Sequence, residues 1–384
     1  MSRWQPRLII LQPTPYCNIS CTYCYLGSRD DRRVMSQKVI EAIREKIFSR
    51  LASDAAPTVV WHAGEPTTVP ISWYEYAYGS FSAACPPGAK FTMQSNGIAI
   101  DDRWIDLLRR TNTHVSLSID GPQRFHDAHR RTRNNQPTWD LAVRALARLQ
   151  GAGFQPNVIS VLHPEGLDHP DEYYTFYRNH GATHVNLNID EIQGANRTSS
   201  FGERDYKKRM TDFIVALLER AYRDDFPLHI REVERIGEVL AAGTLPRNEQ
   251  VEPWDTIVVA ADGSVSTFSP EFMEVRSSAH GNFAFGNIVT EDFADFDARP
   301  ALRQAAREIA AGTEACRSSC RYFSVCGGGA PVNKFCETGS LTGSETAFCR
   351  LSIQAFADAL IAFVESRHGK VARAPSDRAS MASA

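Results

Sequence analysis

The residues best suited to do chemistry are the nine cysteines: Cys17, Cys21, Cys24, Cys85, Cys316, Cys320, Cys326, Cys336 and Cys349. All but Cys85 fall in two groups near opposite ends of the chain. The count is odd. The N-terminal stretch MSRWQPRLIILQPTPYCN has no signal-peptide cleavage pattern, so the protein is expected in the cytoplasm, where thiols stay reduced. That disfavours a disulfide framework and points to metal or iron–sulfur ligation. Cys17, Cys21 and Cys24 form Cys-x3-Cys-x2-Cys. Three thiolates this close can wrap one small inorganic cluster. A [4Fe–4S] cluster takes four, so three leave one iron open to a substrate or cofactor, much as a catalytic metal keeps a vacant position. From the residues alone, a zinc knuckle completed by a nearby histidine is the alternative. The second group has x3, x5, x9 and x12 spacings, and four thiolates so arranged also suit tetrahedral zinc. Cys85, beside two prolines, is expected to have no function.

These groups need elements to position them. Short β-rich runs at Arg7–Pro13, Thr58–Ala63, Lys90–Ser95, His114–Ile119, Gln155–Leu162 and His184–Asn188 alternate with helical patterns such as Ser36–Ala52, Asp101–Arg110 and Thr138–Gly151. Val39, Ile43 and Ile47 form an apolar stripe on the first of these helices. Alternation of this kind implies parallel βαβ units, curved as part of a β/α barrel with its chemistry at the C-terminal strand ends. The chain divides into a barrel over 1–200, a charged helical connector over 201–251, a cysteine-rich α+β domain over 252–366 and a disordered tail over 367–384. In the third part TIVVAADGSVSTF reads as a hairpin turning at Asp262-Gly263. The stretch from Cys316 to Cys349 shows little regular pattern, so bound metal is its expected organiser. A final helix is expected over Glu345–Ser366.

Composition excludes other classes. Of 384 residues, 43% are apolar, and 42 basic against 45 acidic side chains leave a net charge of −3. Such a balance argues against a nucleic-acid partner, and no apolar run is long enough to span a membrane.

The motif CNISCTYC, with Tyr23 before its third cysteine, resembles the signature of the radical S-adenosylmethionine (SAM) superfamily. In that family the open iron chelates SAM, and electron transfer cleaves it to a 5′-deoxyadenosyl radical. Further matches follow successive strands. Ala63-Gly64-Glu65 resembles the family's GGE, whose backbone and carboxylate contact the SAM amine, with Ala63 departing from the first glycine. Gln94-Ser95-Asn96-Gly97 resembles QTNG. Ser118-Ile119-Asp120-Gly121-Pro122 and His126-Asp127-Ala128-His129-Arg130 resemble the SLDGP and HDxYR pattern of peptide-modifying members. The resemblance implies cofactor-binding roles for Tyr23, Gly64, Glu65, Ser95, Asn96, Ser118, Asp120 and Arg130, the last toward the SAM carboxylate. Seen singly, Asn96-Gly97 is a turn and HRRTR a solvated basic face. Their order along the strands favours the family.

Cys316 to Cys349 resembles the SPASM extension of radical SAM peptide maturases. A full SPASM domain holds two auxiliary [4Fe–4S] clusters. Here Ala330 replaces one cysteine, and the hairpin and GNFAFGNI contain none. The resemblance therefore implies one auxiliary [4Fe–4S] cluster on Cys316, Cys320, Cys326 and Cys349, with Cys336 spare or a substitute for Cys349. Longer stretches, including VVWHAGEP and NLNIDEIQG, resemble maturases of Gly/Arg-rich-repeat peptide systems, whose relatives form three-residue cyclophanes. This implies a ribosomally made precursor peptide as substrate and a reducing electron donor such as flavodoxin or ferredoxin. Asp190 and Glu191, at the sixth strand's end, are the candidate bases, against a loop or N-cap role. Arg131 or Arg133 is expected to help hold peptide. No leader-recognition domain is expected before Cys17, so peptide capture is expected to use the barrel, the connector, the C-terminal domain or a separate protein. A formylglycine-generating sulfatase maturase is the second reading, disfavoured by the missing cysteines. A zinc-binding interaction protein is the third, and it leaves the ordered motifs unexplained.

Overall fold

The computed structural model describes residues 5–202 and 205–371. The strands in chain order are β1 (Leu8–Leu11), β2 (Ile19–Cys21), β3 (Thr58–Trp61), β4 (Lys90–Ser95), β5 (Thr113–Ser118), β6 (Arg130–Thr132), β7 (Asn157–Leu162) and β8 (His184–Ile189), of which β2 and β6 are not expected from the sequence and the other six are the expected β-rich runs. Four more follow: β9 (His229–Ile230), β10 (Thr256–Val259), β11 (Ser264–Thr267) and β12 (Gly286–Asn287). Ten of the strands form one sheet in the order β12-β11-β10-β1-β3-β4-β5-β7-β8-β9. Neighbours from β10 through β9 run parallel. Helices Gln37–Lys46, Ile71–Ser82, Asp102–Arg110, Trp139–Gly151 and Pro170–Asn179 lie between them in sequence. The six expected strands thus all form, in one α/β sheet of the open-barrel kind.

Their ends differ from expectation for local reasons. The second expected strand stops at Trp61, because Ala63 takes φ +70° and Gly64 φ +54°, which turn the chain out of the sheet. Asp101 stands outside its helix and caps it, accepting from the Trp104 amide at 3.0 Å. The helix expected over Ser36–Ala52 ends at Lys46 and gives way to a 3-10 turn at Phe48–Arg50, with Ser36 as its N-cap. Trp61 anchors the end of β3. It is fully buried, donates from its indole to Tyr78 Oη at 2.8 Å and meets Trp73, Tyr74 and Tyr78 edge-on. Replacing it with alanine is expected to cost about 3–5 kcal/mol and loosen the strand end that carries His62–Glu65.

The C-terminal region is joined to the barrel through its hairpin. β10 pairs in parallel with β1, and β11 and β12 extend the same sheet antiparallel. The connector contributes helices Lys207–Arg223 and Arg231–Ala242 and the short strand β9 between them. The stretch from Cys316 to Cys349, expected to lack regular structure, is about half helical: it takes in the end of Pro300–Ser319, then Phe323–Cys326 and Pro331–Thr338. Leu302, Ala305, Ile309 and Cys316 are the buried stripe of the first, at helical spacing. The last helix, expected over Glu345–Ser366, is a π-turn at Cys349–Gln354 followed by Ala355–Val371. It therefore runs past the expected start of the tail, and residues 372–384 lie outside the described residues. Among the described residues no helix is long and apolar enough to cross a membrane.

Candidate active site

The loop after β1 carries Cys17, Cys21 and Cys24, all partly buried. Its shape is set by contacts the sequence did not reveal. Strand β2 pairs antiparallel with β6, placing Cys21 opposite Arg130. Arg133 donates from Nε to the Cys17 carbonyl at 2.7 Å, and Arg29 from Nη1 to the Cys21 carbonyl at 3.0 Å. Arg133 thus clamps the cysteine loop, and Arg131 donates to the Asn135 carbonyl at 3.2 Å in the following turn; neither side chain is on the cavity that the cysteines share. Gly64 closes the loop's other side. A Cβ there would stand 2.4 Å from the Tyr16 carbonyl oxygen and 2.5 Å from that of Thr14.

The three cysteines open onto a cavity of about 360 Å³, whose lining includes Tyr23, Gly64, Glu65, Ser95, Asn96, Ser118 and Arg130. Asp120 stands just behind this wall. Burial pushes the Cys17 thiol up to about 12 and the Cys21 thiol up to about 11. Such thiols are poor free nucleophiles at neutral pH, but coordinated iron would deprotonate them, so the donor set fits a metal cluster. Glu65 is buried and accepts on Oε1 from the Thr67 amide, Thr67 Oγ1 and Ser95 Oγ (3.0, 2.6 and 2.7 Å) and on Oε2 from the Asn96 amide at 2.7 Å. Burial still raises its carboxyl above the ordinary range, against these bonds. The donors are all neutral, so an ammonium group would supply the charge this wall lacks, which fits the amine of SAM.

Asp120 and Arg130 are a buried ion pair at 3.0 Å. Tyr23 Oη donates to Asp120 at 2.6 Å, and the Val161 amide donates to it at 3.0 Å. Burial alone would raise the Asp120 carboxyl. Arg130, then His126 and these bonds, outweigh it and hold it low. Arg130 Nη1 lies 3.6 Å from Cys21 Sγ. In this structure Arg130 thus fixes the cysteine loop and Tyr23, with its remaining edge on the cavity.

Asp190 and Glu191 part company. Asp190 accepts from Asn196 Nδ2 at 2.8 Å and from the Ser200 amide at 2.7 Å, holding the loop after β8. Glu191 lines the cavity. It accepts from Gln193 Nε2 and Asn333 Nδ2, both at 2.7 Å, and burial pushes its carboxyl up to about 8. Sequence reasoning missed two companions. Glu271, hydrogen-bonded by Ser269 Oγ, lines the same cavity, and burial raises its carboxyl too. Asn333 comes from the helix Pro331–Thr338. No spacing links these residues to Glu191; the only signal was a carboxylate directly after the hairpin, in Ser-Pro-Glu.

The second cysteine group lines its own cavity of about 270 Å³, with Cys316, Cys320, Cys326 and Cys349 on its wall. Gly327, Gly328 and Gly329 all take positive φ, and the amides of Gly328 and Gly329 are hydrogen-bonded to the Cys326 sulfur. Successive amides turned toward one thiolate form an anion nest, which suits a cluster ligand. Four sulfurs each ~2.3 Å from one zinc would stand within ~4 Å of one another. Among the described residues, in neither cysteine group are three His, Cys, Asp or Glu side chains placed to share a single metal ion. Cys336 is not on this wall; it sits near the Gly194 amide, Arg197 and Glu271. Cys85 is half-buried at the end of the helix Ile71–Ser82, far along the chain from either group.

A sequence profile of the Radical SAM superfamily matches residues 11–177. A Synechocystis protein described as uncharacterized protein sll1766 is 32% identical over 94% of this chain and 93% of its own length. The serine-type anaerobic sulfatase-maturating enzyme of Bacteroides thetaiotaomicron is 28% identical, but over only 45% of this chain and 44% of its own. The mycofactocin maturase MftC of Mycolicibacterium smegmatis is 26% identical over 86% of this chain and 79% of its own. Among solved structures, anSMEcpe with bound AdoMet and Cp18Cys peptide superposes with a TM-score of 0.73 at 18% identity, covering 96% of this chain and 99% of that one. Streptococcus suis SuiB bound to precursor peptide SuiA gives 0.63 at 16% identity, covering 90% and 76%. These two likenesses show the fold.

Proposed function

Because the chain belongs to the radical SAM superfamily, we propose that it modifies a ribosomally made precursor peptide by joining an aromatic ring carbon to the β-carbon of a residue two positions on, a three-residue cyclophane. Its cofactors are a [4Fe–4S] cluster and SAM. Cys17, Cys21 and Cys24 would hold the cluster, with Glu65 toward the SAM amine and Arg130 toward its carboxylate. Cys316, Cys320, Cys326 and Cys349 would hold one auxiliary [4Fe–4S] cluster, and flavodoxin or ferredoxin would supply reducing electrons. When bound, these groups supply a radical that removes a Cβ hydrogen and an acceptor for the electron released as the ring regains aromaticity. The chain's own task is to exclude water, hold the peptide beside the cysteine loop and take the ring proton.

The observation that carries this reading is Glu191. It is a half-buried carboxylate on the cavity shared with the cysteine loop, it is held by Asn333 from the C-terminal region, and loss of solvent pushes its carboxyl up to about 8, within reach of the pH at which a general base works. Two relatives support a peptide substrate: mycofactocin maturase, a maturase by name, and SuiB, solved with its precursor peptide. The sulfatase-maturing reading is favoured by half-length matches to anaerobic sulfatase-maturating enzymes and by the full-length likeness to anSMEcpe.

The test is anaerobic reconstitution with SAM, a reductant and a candidate precursor peptide. We expect 5′-deoxyadenosine together with a peptide lighter by two hydrogens that resists fragmentation between the joined residues and does not react with an aldehyde probe. A peptide that reacts with the probe points to formylglycine. SAM cleavage with no change in any peptide tried, including a sulfatase peptide, overturns both.

A further inference from the structure

Helix Pro331–Thr338 stands between the two cavities. Asn333 reaches Glu191 on one side, and the next residue, Lys334, reaches the other. Lys334 is 1% exposed. Its Nζ donates to the Gly312 carbonyl at 2.9 Å and to Cys316 Sγ at 3.2 Å. Among the described residues no carboxylate forms an ion pair with it. The nearby acids are engaged elsewhere: Glu337 accepts from the Ala347 and Phe348 amides, and Glu345 from Gln354 Nε2.

A buried ammonium without an anion is costly, and a lysine that only filled space would be better replaced by an apolar side chain. The anions within its reach are the thiolates of the second cavity. We propose that Lys334 is a built-in countercharge for that site, a positioning residue that acts through Cys316 to raise the reduction potential of the auxiliary cluster. This rests on reading the four cysteines as cluster ligands. Reduction by one electron adds one negative charge to a site already crowded with thiolate charge. A fixed cation in a dry wall stabilises the reduced form more than the oxidised one, as does hydrogen bonding to a ligand sulfur. The Gly328 and Gly329 amides act in the same direction on Cys326. The site is thereby tuned to accept an electron rather than to give one.

The experiment uses the full chain with Cys17, Cys21 and Cys24 changed to Ala, so that only the second site can hold iron. Iron and zinc are counted first. About four irons keep the cluster reading, and zinc or no metal overturns it before Lys334 is touched. The midpoint potential is then measured by dye-mediated titration followed by electron paramagnetic resonance, in that background and with K334M, K334Q or K334R added. A lower midpoint in K334M and K334Q, with K334R close to the parent, is the expected result. Equal midpoints at equal iron content overturn the proposal. Should the neutral variants fail to retain iron, retention by K334R alone still supports a charge requirement. Loss in K334R as well assigns the residue to packing and overturns it.

Discussion

The two cysteine cavities are built on opposite plans. The first is framed by a loop with three cysteines and opens onto a wall of polar and charged side chains: Glu65, Ser118, Arg130, Glu191 and Glu271. The second is lined by four cysteines, which are met by glycine amides, by buried Lys334 and, from the exposed side, by Arg321. Three thiolates leave a coordination position for chemistry, while four close the shell and leave only electron transfer. The helix Pro331–Thr338 separates them, so a proton taken by Glu191 and an electron taken by the second site would leave the substrate on different sides of one element.

The sharpest break between the cavities is to remove one set of ligands at a time. Changing Cys17, Cys21 and Cys24 to Ala should lower the iron content from about eight to about four per chain and abolish SAM cleavage. Changing Cys316, Cys320, Cys326 and Cys349 should also leave about four irons, retain SAM cleavage and lose the modified peptide. Metal analysis and chromatography of 5′-deoxyadenosine read both. About four irons with one zinc in the parent protein would keep the first cavity's role and remove the electron acceptor from the second.

Next in size is Glu191. E191Q should lower peptide modification by about 10²–10⁴-fold while SAM cleavage continues, the range for loss of a general base. In the parent, modification should rise with pH toward a plateau above about 8, where the carboxyl ionises, and E191Q should lack that rise. The same residue predicts a stability effect. Its folded-state carboxyl is raised from 4.5 to about 8, so its contribution to stability is greatest at low pH and is lost as pH rises through that window. E191Q should therefore unfold at a higher temperature than the parent at pH 9 and show little difference at pH 4. D190N provides the contrast: it disturbs the Asn196 and Ser200 contacts and lowers thermal stability, while keeping the rise with pH and moving it only slightly toward acid as a minor neighbouring charge is removed.

What could be read in advance follows from how local each signal is. The six barrel strands carry short β-rich runs, and the cysteine, GEP, SNG and DGP motifs sit at their ends, so both the fold and the lining of the first cavity were legible. Cys316 to Cys326 were legible as a group by spacing. The parallel pairing of β10 with β1 was not, because a hairpin turn specifies only the strands it joins. The helices between Pro300 and Thr338 were hidden by small residues and glycines, although Leu302, Ala305, Ile309 and Cys316 do keep helical spacing. Partners separate Asp190, held by Asn196 and the Ser200 amide, from Glu191 on the cavity wall, and adjacent carboxylates in sequence give no hint of it. Glu271, Asn333 and Lys334 gain their meaning only from contacts across the chain.

The smallest effect compares how the two cavities use left-handed backbone. In the second, Gly328 takes φ +121°, and a Cβ there would meet Thr313 Cγ2 at 2.8 Å, so alanine should fail there by both strain and collision. In the first, Gly64 is equally intolerant because of the Tyr16 and Thr14 carbonyls. Its neighbour Ala63 already carries a side chain at φ +70°. The left-handed region costs an L-residue about 1–2 kcal/mol. Glycine avoids that cost but loses about 0.5–1 kcal/mol of extra chain entropy on folding. A63G should therefore raise stability by no more than about 1 kcal/mol, seen as a small upward shift in thermal unfolding, with iron content and SAM cleavage unchanged. G64A should instead lose iron and stability together. A marked loss of SAM cleavage in A63G would mean that the Ala63 methyl itself shapes the cofactor wall, making the first cavity more closely fitted than its backbone alone requires.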